Sequence, residues 1–150
     1  MKLEKHRWGK LLFLAYCLWM LWLLFGQRLS FVHPESFGEY LGQSVNLKPF
    51  RTIGNYWYVV FRTSDRALLS HIIVNLAGNV IMFIPLGFFL PLNWFWFRKL
   101  LKLLVATTGI IICIEFLQMA TMLGSLDVDD LILNLIGCLM GFLLWKIIDR

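Results

Sequence analysis

Charge is scarce in this chain. Lys, Arg, Asp and Glu together make up 15% of its 150 residues, against 59% hydrophobic residues. With a mean hydropathy of +0.72, that balance excludes an ordinary soluble domain. Cysteine is confined to Cys17, Cys113 and Cys138, each inside an apolar run. An odd, scattered set of this kind is neither a disulfide framework nor a thiolate metal site, and the three read as small packing residues. Also absent are a glycine-rich phosphate loop, a His/Cys cluster with zinc spacing, and a Ser-His-Asp arrangement with a recognisable nucleophile. No internal repeat, low-complexity tract or domain boundary is visible. The net charge of +5 is not a nucleic-acid footprint, because the basic residues stand at the ends of apolar runs, where they set topology and meet lipid headgroups.

What the chain does have is long apolar runs, at about 9–26, 68–91, 100–123 and 128–148. Each is long enough to cross a bilayer as a helix. The expectation is an all-α membrane protein: one domain over 1–150, built as a four-transmembrane-helix bundle, with a long outer loop at 27–67 between helices 1 and 2. The first run follows a basic head, but no small-x-small cleavage pattern follows the run, so an uncleaved helix is predicted. In the long connection, Pro49 cannot continue a helix, and Tyr56–Phe61 is an aromatic segment suited to a membrane interface. Pro85 is expected to kink the second span and Pro91 to help end it. Nine Lys and Arg lie in the N-terminal head, the 92–102 turn and the C-terminal tail, against five in the long connection. The positive-inside rule then places both termini in the cytoplasm.

This topology sets polar residues at a common depth. His71, Asn75 and Asn79 follow one another at intervals of four early in the second span. Glu115 and Gln118 are one turn apart late in the third. Asp127, Asp129 and Asp130 open the fourth, and Asp130, Asn134, Gly137 and Gly141 form one stripe on it. All fall near the outer leaflet, whereas the inner halves of the spans are almost purely apolar. A convergent cavity is therefore expected, formed by Asn75, Asn79, Glu115, Gln118, Asp130 and Asn134, with Arg51 from the long loop at its mouth. An ionised Glu115 at that depth costs several kcal/mol unless it is paired, protonated or hydrated, and Arg51, Arg62, Arg66 and His71 are its candidate partners. Plainer roles stand beside these. Asp127 suits a helix N-cap, the asparagines suit interhelical amide bonds, and Gly137-x-x-x-Gly141 suits close helix approach, within the chain or in a homo-oligomer.

The segments Asn46-Leu-Lys-Pro-Phe50, Asn75-Leu-Ala-Gly-Asn79, Phe83-Ile-Pro-Leu-Gly87 and Glu115-Phe-Leu-Gln118 lead into Asp127-Val-Asp-Asp130, Asn134-Leu-Ile-Gly137 and Gly141. In order and spacing this set resembles the VanZ-like family of small bacterial membrane proteins. The resemblance implies a multi-pass protein of the bacterial plasma membrane, linked to resistance to teicoplanin-type glycopeptides, and brings no settled reaction with it. The chain departs from the family pattern at Gly124-Ser125, where an arginine is expected ahead of the aspartates. The leading expectation is a non-enzymatic protein that binds a membrane lipid or lipid-linked cell-wall precursor. Arg51, Asn75, Asn79, Glu115, Gln118, Asp127, Asp130 and Asn134 would form its site, Arg51 and Lys48 would face phosphate, and a hard divalent cation could sit at Glu115, Asp127 and Asp130. The alternatives are an intramembrane enzyme with Glu115 or Asp130 as general acid or base, and a structural partner of another membrane protein.

Overall fold

A computed structural model describes residues 2–26 and 36–149. Six helices and one very short parallel strand pair make up the described chain: α1 (Lys2–Leu24), α2 (Phe37–Ser44), β1 (Val45–Asn46), α3 (Arg51–Val60), α4 (Arg66–Asn93), α5 (Leu100–Ala120), β2 (Leu126–Asp127) and α6 (Val128–Ile148). By length and composition α4, α5 and α6 can each cross a membrane, while the apolar part of α1, Trp8–Leu24, is shorter.

Local chemistry explains where these helices begin and end. Asp65 caps α4, its carboxylate accepting from the Ala67 amide at 2.9 Å and the Leu68 amide at 3.4 Å. Asp127 caps α6 in the same way through the Asp129 amide at 2.9 Å, leaving fewer orphan donors at each N-terminus. α4 runs past both of its prolines to Asn93, so Pro91 does not end it as expected. The Asn93 side chain donates to the Phe89 carbonyl at 3.0 Å and to the Gly9 carbonyl at 3.2 Å, tying this end of α4 to α1. α5 stops at Ala120 rather than near 123, because Met122 takes a left-handed conformation with φ of 57°. The Leu123 amide then folds back onto the Gln118 carbonyl at 2.8 Å, which satisfies a terminal acceptor as a Schellman turn does.

α4 and α6 lie side by side and run the same way, and their backbones touch. A Cβ on Gly137 would fall 2.0 Å from the Val80 carbonyl oxygen, and one on Gly141 would fall 1.9 Å from that of Ile84. Gly87 returns the contact from α4, where a Cβ would fall 1.9 Å from the Cys138 carbonyl oxygen. The Gly137–Gly141 face, which the sequence equally offered to a second copy, is thus filled by α4 of the same chain. α1 packs antiparallel on α4, with the Tyr16 hydroxyl donating to the Met82 carbonyl at 2.8 Å. Phe83, Leu86, Leu103, Ile111, Cys138 and Phe142 form the central core. Cys138 is a packing residue, touching Thr107 at 3.3 Å, whereas Cys17 is half-buried and Cys113 is exposed.

The expected outer loop is itself structured. Residues 27–35, including Arg28, lie outside the described residues. Beyond them α2 is capped by Ser36, whose hydroxyl accepts from the Glu39 amide at 3.2 Å. β1 then pairs with β2, Val45 beside Leu126 and Asn46 beside Asp127. α3 follows with Thr52, Ile53, Tyr56 and Val59 turned inward and Trp57 and Tyr58 exposed.

Candidate functional site

Two polar assemblies meet at the end of the bundle where α1 and α5 finish and α4 and α6 begin. The first fixes the connection between α1 and α4 onto the start of α6. Asp127 accepts from the Asn46 side chain at 3.0 Å and from the Thr52 hydroxyl at 2.6 Å. Asp129, 0% exposed, accepts from the backbone amides of Phe50 at 2.5 Å, Thr52 at 2.8 Å and Ile53 at 3.1 Å. These amides stand at the N-terminus of α3, which has no side-chain cap of its own, so a carboxylate on another helix supplies one. Phe50 enters α3 with φ of 62°, a left-handed geometry held by that contact. α2 adds a further tie, its Tyr40 hydroxyl donating to the Gly124 carbonyl.

The second assembly is a cavity of about 510 Å³ between α1, α4, α5 and α6. Asn75, Asn79, Glu115, Gln118, Asp130 and Asn134 all line it, together with His71 and the Gly124-Ser125 turn. Their convergence follows from helix phase. Asn75 and Asn79 share a face of α4, Glu115 and Gln118 share a face of α5, and Asp130 and Asn134 share a face of α6. The Asn79 side chain donates to Asp130 at 2.5 Å, and the Gln118 side chain donates to the Leu24 carbonyl at 3.0 Å, closing α1 against α5. Glu115 and Asn134 are each only 5% exposed, and their Oε1 and Oδ1 atoms have no hydrogen-bond partner among the described residues. Gly78 lines the wall with open space in front of it, since a Cβ there would meet nothing within 4 Å.

Three expected members stand elsewhere. The Asp127 carboxylate is spent on α6 and on Asn46 and Thr52, and it is not among the lining residues. Arg51 is an exposed residue on α3 that does not reach the lining, and Lys48 is exposed as well. The arginines offered to Glu115 are likewise absent from the wall: Arg66 is exposed, and Arg62 donates to the Tyr58 hydroxyl and stacks over its ring. Among the described residues no three His, Cys, Asp or Glu side chains come together as a metal ion would require. Sequence reasoning missed Asp129 as the cap of α3, whose amides lie 76 to 79 residues earlier in the chain. On α3, burial and the charges of Asp130 and Asp127 push the Tyr56 phenol above its ordinary range.

These features define a helical membrane protein with an acidic, amide-lined cavity at one end of its bundle. The chain matches the VanZ/LLP1 family over residues 11–149, nearly its whole length, and belongs to that family. No curated protein and no solved structure matches it.

Proposed function

We propose that this protein sits in the bacterial plasma membrane with α1, α4, α5 and α6 all crossing it, both termini cytoplasmic and the α2–α3 connection outside. Its cavity binds the headgroup of a membrane lipid or lipid-linked cell-envelope precursor near the outer leaflet, and through that binding it contributes to resistance to teicoplanin-type glycopeptides. The observation that carries this reading is the convergence of six polar side chains from three apolar helices on one cavity. Polar groups at membrane depth are costly to maintain and ordinarily serve a bound ligand, an ion or a proton.

The test uses Gly78. Gly78→Leu extends a side chain into empty space and should occlude the cavity without disturbing helix contacts. Photoactivatable lipid analogues should crosslink to the wild-type protein near Trp19 and Val74, and crosslinking should fall sharply in Gly78→Leu. Cells expressing the wild type should also tolerate more teicoplanin than cells expressing the variant. Equal crosslinking in both proteins would sink the reading. A second reading, an intramembrane enzyme, is favoured by one observation: Glu115 and Asp130 line the same cavity and differ in partners, as an acid/base pair does. Mass spectrometry of a lipid-linked precursor incubated with the protein would reveal a product only under that reading, and Glu115→Gln would abolish it.

A further inference from the structure

We propose that α3 is a docking surface for the membrane itself. In the orientation above it lies in the outer headgroup layer, with Trp57 and Phe61 against acyl chains and Arg51 and Arg62 on the phosphates of anionic lipids. The proposal goes beyond the cavity and does not depend on what the cavity holds.

α3 and the turn that continues it carry three stripes. Thr52, Tyr56, Val59 and Thr63 recur at intervals of four, three and four, and they are half-buried against the bundle. Arg51, Asn55, Tyr58 and Arg62 recur at the same intervals along one flank of that stripe, and all four are exposed. Trp57 and Phe61 stand one turn apart on the opposite flank, 68% and 69% exposed, with their rings in edge contact at 4.8 Å. The aromatic segment read from the sequence is thus divided: Tyr56 turns inward, Tyr58 joins the arginines, and Trp57 and Phe61 form an apolar flank. The Arg62 guanidinium sits 4.2 Å from the Tyr58 ring centre and donates to its hydroxyl. That contact spends one of its five N–H donors and holds the others ready for an anion.

The ties at both ends of α3 fix its level. Asp127 and Asp129, at the start of α6, hold Thr52 and the first amides of α3. Three residues beyond Arg62, Asp65 caps α4, a helix long and apolar enough to cross a membrane. α3 therefore stays at the level where α4 and α6 begin. Tryptophan and tyrosine suit the boundary between acyl chains and water, and a short helix with aromatic and basic flanks lies along that boundary. Among the described residues neither arginine forms an ion pair, and a guanidinium matches phosphate oxygens in a two-pronged fit. A second protein could cover the two aromatics, but the level of the helix and the arginines beside them favour an anionic lipid surface.

Fluorescence quenching in the full chain tests the proposal, in a background with Cys17, Cys113 and Cys138 replaced by alanine or serine. Bimane is attached in turn at Trp57→Cys, Phe61→Cys and Asn55→Cys, so that each protein keeps at least one of the two aromatics. In phosphatidylcholine nanodiscs, a lipid with a nitroxide high on its acyl chain should quench the labels at 57 and 61, and iodide should not. The label at 55 should respond in the opposite way. With the nitroxide on phosphatidylglycerol at equal mole fraction, quenching at 61 should be roughly twofold or more that given by phosphatidylcholine. Arg51→Gln with Arg62→Gln should abolish that excess, whereas Arg51→Lys with Arg62→Lys should retain it. Gly78→Leu should change none of these readings, which separates this surface from the cavity. Iodide quenching at all three positions would put α3 in water and overturn the proposal. Labels at 57 and 61 that neither quencher reaches would show that protein covers them, and would overturn it too. Equal quenching by the two lipids would refute the anionic lipid as the partner.

Discussion

Asp127, Asp129 and Asp130 sit within four residues of sequence, and each carboxylate meets different partners. Asp127 caps its own helix and ties down Asn46 and Thr52. Asp129 caps α3, and Asp130 turns to Asn79 in the cavity. The sequence made the first role legible, since an acidic residue before an apolar run is a local signal. It also placed Asp130 on the Asn134 stripe. The Asp129 role was illegible because its partners lie nearly eighty residues earlier, and no periodicity encodes a contact of that range. Removing this carboxylate strands three backbone donors. Asp129→Ala should therefore lower the stability of the purified protein by about 3 kcal/mol or more, at ~1–3 kcal/mol for each unsatisfied buried amide. Asp130→Asn keeps a side-chain acceptor facing Asn79 and should cost about 1 kcal/mol or less. Thermal unfolding in detergent measures both, and equal losses would show that Asp129 is no more structural than its neighbour.

At the scale of the helix, the glycines separate structure from site. Gly137 and Gly141 were readable as a close-approach pair, but their spacing could not say whether the neighbour was another helix of this chain or another molecule. The answer lies in α4, whose Gly87 makes the reciprocal contact. Gly141→Ala would drive a methyl group into the Ile84 carbonyl and the Phe88 amide, both of them backbone atoms that cannot rotate away. It should destabilise the fold by about 2 kcal/mol, in the range of an overpacked core. Gly78 is its opposite, a helical glycine with nothing before it. Gly78→Ala should leave stability unchanged or raise it by up to about 1 kcal/mol, the helix-propensity difference between the two residues. Chemical or thermal unfolding of the pair decides the point, and a loss in Gly78→Ala equal to that in Gly141→Ala would contradict the open wall. The long connection was legible only in part. Pro49 correctly barred a helix through its centre, but α2 and α3 are short amphipathic pieces whose stability comes from Tyr40, Asp127 and Asp129 rather than from their own sequence.

For the whole molecule, the orientation in the membrane connects the charge pattern to the site. The cavity, the strand pair, α2 and α3 all gather at one end of the bundle, and the 95–98 turn with Asp149 and Lys146 lies at the other. That far end is basic and aromatic: Lys102 stacks over Trp96 at 3.3 Å, and Arg98 lies 5.5 Å from the Trp145 ring and 3.9 Å from Asp149. Lys and Arg beside exposed Trp and Phe suit the cytoplasmic headgroup layer, where anionic lipids attract them. In the orientation proposed above, the cavity end with its carboxylates is the one that faces outward. Accessibility of single cysteines checks this directly, in a background with Cys17, Cys113 and Cys138 replaced by alanine or serine. Ser36 and Asn55 are exposed at the cavity end, and Lys99 is exposed at the other. Ser44, although in the same connection, is buried and bonded to the Tyr40 carbonyl at 2.6 Å, which makes it a poor reporter. Ser36→Cys and Asn55→Cys should react with an impermeant thiol reagent on intact cells, and Lys99→Cys only after permeabilisation. The reverse pattern would put the acidic cavity on the cytoplasmic side, where it would meet inner-leaflet lipids instead. Labelling of an N-terminal cysteine on the same side as Ser36 would show that α1 does not cross the membrane and that three helices, not four, span it.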